Sequence, residues 1–336
     1  MNALRCIHVG VGAKSRGAWL LDLFPRSADR FAPVAFVDAS REIARAEADR
    51  RGWSSIACFG SLPEALGAVK ADAAIITSPA RFHGEQIRLC LEAGLHVFVA
   101  KPMTYDLDEA VRLVELAERK RLSLVVDQQQ RFLLTERTLA EWAKAKRFGE
   151  LGYVAFQIHR YRPEMLSFTG ADPFIWEQGV HSFNSLLAMT GRQAHSVFAH
   201  QLKPAWSKYN GPTVSMGVIE LDGGVPCEYL GTFDSRAFTM DIRFEYEQAA
   251  VRLVAAKSFH KRIEIARPGQ AFEPAGIDDG HDQEPAERFN FEAFHRGCMQ
   301  GGRVVNDGRE NLQTLAVVDA FIRSARSGRK EMVRRF

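Results

Sequence analysis

Lys101 closes the apolar run "HVFVA" and is followed at once by Pro102. Val97, Phe98 and Val99 favour strands, so the lysine sets its ammonium at the carboxyl end of a buried strand, where open parallel sheets bind ligands. Such a lysine either offers a fixed positive charge to an oxygen that becomes negative during a reaction or snorkels into solvent. A second set lies in "WEQGVHSFNSLLAMTG", residues 176–191. On a regular helix Glu177, His181 and Asn184 fall at i, i+4 and i+7 and share a face, beside an apolar stripe of Val180, Phe183 and Leu187. A histidine with a carboxylate one turn away can move a proton; the plain alternative is an amphipathic helix whose histidine packs or caps. A third set is the turn "GVGAKSRG", where Gly10, Gly12 and Gly17 separate an apolar run from the helical pattern "AWLLDLF". Glycines there allow a backbone to approach a diphosphate held at a helix N-terminus, although Ser15 stands where the strict fingerprint has its third glycine. Asp38 ends the next run, "VAFVDAS", and can accept both hydroxyls of a ribose. Its charge repels a 2′-phosphate, Arg41 close behind could hold one, and the simpler reading makes Asp38 an N-cap for "REIARAEADRR".

These groups need a scaffold, and the patterning supplies one. Through about residue 127, short apolar runs alternate with amphipathic helical stretches: "RCIHVGVG", "PVAFVDA", "SIACF", "ADAAIITS", "HVFVA" and "LSLVVD". That alternation predicts an α/β, doubly wound parallel sheet of Rossmann type over residues 1–127. After a helix near "ERTLAEWAKAKR" the grammar changes. Runs such as "YVAFQIHRY", "TVSMGVIEL" and "FTMDIRFEYEQAAVRLVAA", parted by short turns, predict a second, α+β domain over residues 128–336 with an open, mostly antiparallel sheet. A closing helix is expected near residues 308–327, packing back on the first domain.

Bulk properties exclude several classes. A chain of 336 residues, 46% hydrophobic and 25% charged, has the composition of a globular protein of two domains. The net charge of +3 and the confinement of the basic run "RSGRKEMVRRF" to the end of the chain argue against nucleic acid as a partner. No apolar stretch approaches the roughly 20 residues of a membrane span, and "MNALRCIHVGVG" lacks a signal-peptide core, so a cytoplasmic protein is expected. Five scattered cysteines without a C-x-x-C pair point to reduced thiols. The ten histidines show no ligand spacing, and no metal is expected.

Taken together, "GVGAKSRG", "VDAS", "TSPARFHGEQIRLCLEAGLHVFVAKP", "QQQRF", "EQGVHSFN" and "NLQTLAVVDAFIRSARSGRK", in this order, resemble the glucose-fructose oxidoreductase / inositol dehydrogenase / rhizopine catabolism family. The resemblance implies a nicotinamide dinucleotide, NAD or else NADP, on the first domain, and a sugar, polyol or sugar derivative as substrate. It also implies a homodimer or homotetramer built on the open sheet. Lys101 matches the lysine of the family's Glu-Lys-Pro motif and His181 its catalytic histidine. Glu177 sits where many members have aspartate, Asn184 replaces a common aspartate, and Ala100 replaces the motif's glutamate. By the same resemblance the cofactor would meet Gly10, Gly12, Ala13, Lys14, Ser15, Arg16, Asp38, Ala39, Ser78, Pro79, His83, Lys101 and Gln128. Arg131, Arg160, Arg162 and Trp176 would join Lys101, Glu177, His181 and Asn184 around the substrate. The implied reaction is hydride transfer at a carbinol. An enzyme that oxidises transiently, such as a glycosidase or epimerase, or a regulator that only binds the dinucleotide, would share the same motifs.

Overall fold

The computed structural model describes residues 3–12, 21, 27–168, 170–257, 260–281 and 286–336. The chain divides into two compact units, residues 1–128 with 287–312, and residues 129–286 with 313–336. In the first unit, strands β1 (Leu4–Val9), β2 (Phe31–Val37), β3 (Ala57–Phe59), β4 (Ala73–Ile76), β5 (His96–Ala100) and β6 (Leu124–Asp127) form one parallel sheet in the order β3-β2-β1-β4-β5-β6. The runs "AAII" and "LVVD" are buried throughout because helices cover both faces of a parallel sheet. Those helices include α1 (Arg41–Arg50), α2 (Leu62–Ala68), α3 (His83–Glu92) and α4 (Leu107–Lys120). Ser40, Ser61 and Asp106 start α1, α2 and α4 by accepting the backbone N–H three residues on.

The second unit holds β7 (Leu151–Tyr161), β8 (Ala194–Leu202), β9 (Val214–Leu221), β10 (Val225–Thr232), β11 (Asp234–Tyr246), β12 (Ala250–Ala255), β13 (Arg262–Ala266), β14 (Glu273–Asp278) and β15 (Glu331–Met332), with helices α5 (Leu134–Lys144) and α6 (Val180–Thr190). The nine strands run β14-β13-β12-β11-β7-β10-β9-β8-β15, antiparallel except for the β7–β10 pair. Along β7, Val154, Phe156 and Ile158 are buried on one face while Tyr153 and Tyr161 are exposed on the other. The buried face is closed by aromatic packing. Phe183 of α6 lies with its ring centroid 5.0 Å from Tyr229 and 5.5 Å from Phe321, and Tyr229 is 5.3 Å from Phe156. Each such ring stabilises by roughly 1.5–3 kcal/mol on burial.

The last two helices are α7 (Ala286–Gln300) and α8 (Gly308–Ser327). A single cut near residue 127 leaves them in the second domain, whereas residues 287–312 belong to the first unit. Phe291 and Phe294, one turn apart on α7, fill its core, with Phe291 4.6 Å from Phe98 between centroids. Asn290 donates to Asp127 Oδ1 at 3.0 Å, and Asn306 to the Gln128 carbonyl at 3.0 Å, so the returning segment seals the outer strand β6. Helix α8 opens on Asp307, which accepts from Glu310 N, while Glu310 accepts from Asn306 N one residue ahead of the cap. Its first turn lies with the first unit and the rest with the second.

Among the described residues no helix is long and apolar enough to cross a membrane, and no group of three or more His, Cys, Asp or Glu is arranged to hold a metal ion.

The second unit buries one charged cluster. Lys261 pairs with Glu136, and the Thr135 hydroxyl, with one proton to give, lies 2.8 Å from Glu136 Oε2 and 3.0 Å from Asp279 Oδ1. Burial, then the Glu136 charge, push the Asp279 carboxyl up to about 6, with Lys261 opposing. The folded chain therefore holds this proton more tightly than the unfolded chain. The stability it contributes at low pH is lost as pH rises from near 4 through about 6, on the order of 3 kcal/mol. In Asp279→Asn this slope should flatten, and scanning calorimetry from pH 5 to 8 should show the variant gaining on the parent as pH rises. An unchanged difference across that range would show that the carboxyl titrates normally.

Candidate functional site

The first turn is fixed by strand ends. Gly10 follows β1 at φ +82°, and a Cβ there would come within 2.6 Å of Ser78 Cα and 2.8 Å of Thr77 C. The close approach is pinned by Thr77, whose hydroxyl lies 2.8 Å from the Gly10 carbonyl and 3.0 Å from His8 Nε2. Burial lowers the His8 pKa to about 3, so the ring is neutral and packs as part of the sheet. Gly12 N donates to Asp38 Oδ2 at 2.8 Å, and Ala39 N donates to Asp38 Oδ1 at 2.7 Å. Asp38 is thus held against the glycine turn and is no helix cap, since Ser40 caps α1. Each carboxylate oxygen keeps a further lone pair for a ribose hydroxyl. Arg41 pairs with Glu64 on α2, which compensates its charge. A turn that leaves no room for a Cβ at Gly10, anchored through Gly12 to an acid at the end of β2, suits an adenosine dinucleotide. Ala13, Lys14, Ser15 and Arg16 lie outside the described residues.

At the ends of β4 and β5 the expected contacts divide. Ser78 gives its hydroxyl to Gln86 Oε1 at 2.5 Å, and Pro79 opens a short 3-10 turn ahead of α3. His83 is buried, with Nδ1 2.8 Å from the Pro102 carbonyl and Nε2 2.8 Å from the Ser78 carbonyl. Its two ring nitrogens tie these strand ends together. Gln128 is buried and offers its backbone carbonyl to Asn306. Lys101 follows β5 in a cis peptide with Pro102 and is only 8% exposed, so it does not snorkel. Ala100 is register partner to Asp127 of β6, and parallel partners point to the same side. The face that lacks the motif's glutamate at position 100 therefore keeps a buried carboxylate one strand away.

In the second unit the regular helix expected over residues 176–191 begins differently. Ile175–Gly179 is a π-turn that runs into α6 at Val180. Its i→i+5 bonding changes the phase between Glu177 and His181, so the two no longer stack by the α-helical period alone. His181 is 4% exposed, while Trp176 and Glu177 are half-buried. Asn184 is buried and gives its amide to Thr314 Oγ1 of α8 at 3.1 Å, which ties the two helices together. Leu186, not Leu187, is the buried leucine of the apolar stripe. Arg131 is half-buried on the 3-10 turn Gln129–Phe132, which packs against α6.

Gln178, which no sequence signal marked, is buried in the π-turn and accepts from Arg160 Nη1 at 2.6 Å. The Ser182 hydroxyl donates to the Gln178 carbonyl at 3.2 Å, joining the π-turn to α6. Burial, with Arg162 adding to it, lowers the Arg160 pKa to about 10.

Known proteins identify the family of this chain. Residues 4–128 match the family model GFO_IDH_MocA, described as an oxidoreductase family with an NAD-binding Rossmann fold. The chain is 31% identical over 281 residues to inositol 2-dehydrogenase of Leifsonia xyli subsp. xyli, covering 82% of this chain and 76% of that one. Two solved structures share the fold from end to end. WlbA dehydrogenase from Bordetella pertussis, in complex with NADH and UDP-GlcNAcA, superposes with a TM-score of 0.84 at 21% identity, covering 99% of each chain. Aldose-aldose oxidoreductase from Caulobacter crescentus does so with a TM-score of 0.84 at 15% identity, over 98% of this chain and 99% of that one. By the family match over its first domain and the identity to a relative that it covers over most of its length, the chain belongs to the GFO_IDH_MocA family of NAD-binding oxidoreductases.

Proposed function

We propose that this chain is a cytoplasmic, NAD-dependent dehydrogenase that takes hydride from a CH–OH group of a sugar, polyol or sugar derivative. The observation that carries the reading is the burial of both Lys101, at the end of β5, and His181, beside the π-turn, in a chain of this family. When bound, the nicotinamide supplies the hydride acceptor. Loss of hydride from a carbinol requires loss of the hydroxyl proton and leaves charge on oxygen. His181, in its neutral form, takes that proton, a role contributing about 10²–10⁴ in rate. Lys101 stabilises the forming alkoxide, by roughly 3–4 kcal/mol if it acts as an oxyanion-hole donor does. Glu177 balances the imidazolium that results. The five cysteines stand as free thiols, which supports a reducing compartment. Nicotinamide fluorescence of the purified protein, followed by a sugar and polyol panel read by NADH formation, tests the reading. Retained cofactor with conversion of substrate and no free NADH would favour transient oxidation. Dinucleotide binding with no conversion at all would leave a regulator.

Asp38 and the pairing of Arg41 with Glu64 support NAD over NADP. Asp38→Ala should weaken NAD and move the NAD to NADP preference ratio by about tenfold, since the repulsion on a 2′-phosphate disappears. Titration of both cofactors reads this directly, and an unchanged ratio removes Asp38 from the ribose.

A homodimer or homotetramer is supported by the open face of the large sheet. Phe198 and Val218, opposite each other on β8 and β9, are 54% and 45% exposed, with Tyr153, Tyr161 and Met216 on the same side. Light scattering should give at least a dimer, and Val218→Asp should shift it toward monomer. A parent protein that is monomeric at micromolar concentration would refute the assignment.

A further inference from the structure

The side chains of β7 on its covered face run Val154, Phe156, Ile158 and then Arg160. Ending an apolar row with a guanidinium is costly unless an anion meets it. Two other partly covered arginines have one: Arg51 pairs with Glu47 and Arg252 with Glu264. Arg160 meets only the neutral Gln178 Oε1 at 2.6 Å and the Phe238 ring, 5.7 Å from its Cζ. Among the described residues no carboxylate stands within ion-pair distance of it; Glu164, the acid nearest in sequence, pairs with Arg162. Arg162, two residues on, places a second guanidinium near the first, and Glu164 offsets only one charge of the two. A guanidinium carries five N–H donors in a fork that fits a carboxylate or phosphate, and Gln178 occupies one of them. Gln178 is also the neighbour of Glu177 and lies in the π-turn that leads to His181, so Arg160 is tied to the segment that carries the histidine.

We infer that Arg160 selects substrates that carry an anionic group, a carboxylate or a phosphate ester, close to the carbinol that is oxidised. This rests on the reading of the Gln178–His181 segment as substrate-binding. The test uses matched probes: aldoses, each set against its uronate, its aldonate and its 6-phosphate at constant ionic strength. Binding is read as the rise in melting temperature with NADH present, and turnover as NADH formation with NAD. One charged series should exceed its neutral parents in melting-temperature shift and by about thirtyfold in kcat/KM. That preference should fall close to unity in Arg160→Met and survive in part in Arg160→Lys. A preference for uronates or aldonates alone identifies a carboxylate, and one for 6-phosphates alone a phosphate ester. If no charged series exceeds its neutral parents in either measurement, or Arg160→Met keeps the preference, the inference is overturned. Turnover of neutral sugars without charge preference would defeat it while leaving the dehydrogenase reading intact. An anion-dependent melting shift that Arg160→Met abolishes, with no turnover of any probe, would do the reverse.

Discussion

His181→Asn should lower kcat/KM for NAD-linked oxidation by about a hundredfold or more and remove the acid limb of its pH profile. Lys101→Met should cost as much or more and leave that limb in place. The two losses differ in kind. The histidine must shed its own proton before it can accept one from the substrate, so falling pH turns it off, and the kcat/KM profile of the free enzyme records that event. The lysine acts through fixed charge, and methionine keeps its length and apolar stem while deleting the ammonium. Both side chains are nearly covered, at 4% and 8% exposure, so solvent is poorly placed to replace either. The measurement is initial NADH formation from pH 5 to 10 with a substrate found in the panel. Near-normal turnover in His181→Asn would break the acid/base assignment and leave Lys101 as the candidate for proton transfer.

The second large effect belongs to Gly10→Ala. Here a single methyl is set against main-chain atoms of the neighbouring strand, Ser78 Cα at 2.6 Å and Thr77 C at 2.8 Å, which cannot rotate away as a side chain could. The backbone is also left-handed at φ +82°, a region where alanine is disfavoured by about 1–2 kcal/mol. Together these should destabilise the fold by about 3 kcal/mol or more and, by separating β1 from β4, abolish NADH binding. Calorimetry and a fluorescence titration of NADH on the same samples would show both. A variant that retains the parent's melting temperature and affinity would mean that the turn relaxes elsewhere.

What could be read from the sequence was what local patterning encodes. The parallel sheet of the first unit follows from apolar runs alternating with helices, whereas the cap of α1 is Ser40 and not the Asp38 that the pattern offered, since both are short polar side chains just ahead of the helix. The return of residues 287–312 to the first unit could not be read in this way, because an amphipathic helix carries no mark of the sheet it will cover. The meeting of Phe291 with Phe98 and of Asn290 with Asp127 decides it. In the candidate site, the placing of Lys101 and Asp38 at strand ends was legible because apolar runs mark where a strand stops. The hydrogen bonds of Asn184 and His83 were not, because their partners are a threonine 130 positions away and two backbone carbonyls. Gln178 gave no signal, since a glutamine in a polar helical turn is commonplace until its partner is known.

The π-turn at Ile175–Gly179 makes the length of this segment matter as much as its composition. A π-turn holds one residue more than the α-helical path it interrupts, so removing one residue there restores an unbroken helix at little cost to folding. Val180, Phe183 and Leu186 would keep their seats in the core, as would Phe174 ahead of the turn, and the residues within the turn would be redistributed about the helix axis. Trp176, Glu177 and Gln178 would then face new neighbours, and Arg160 would lose its acceptor. One codon gained or lost at this point is thus a route by which such a scaffold can change or abandon its substrate while the fold stays whole.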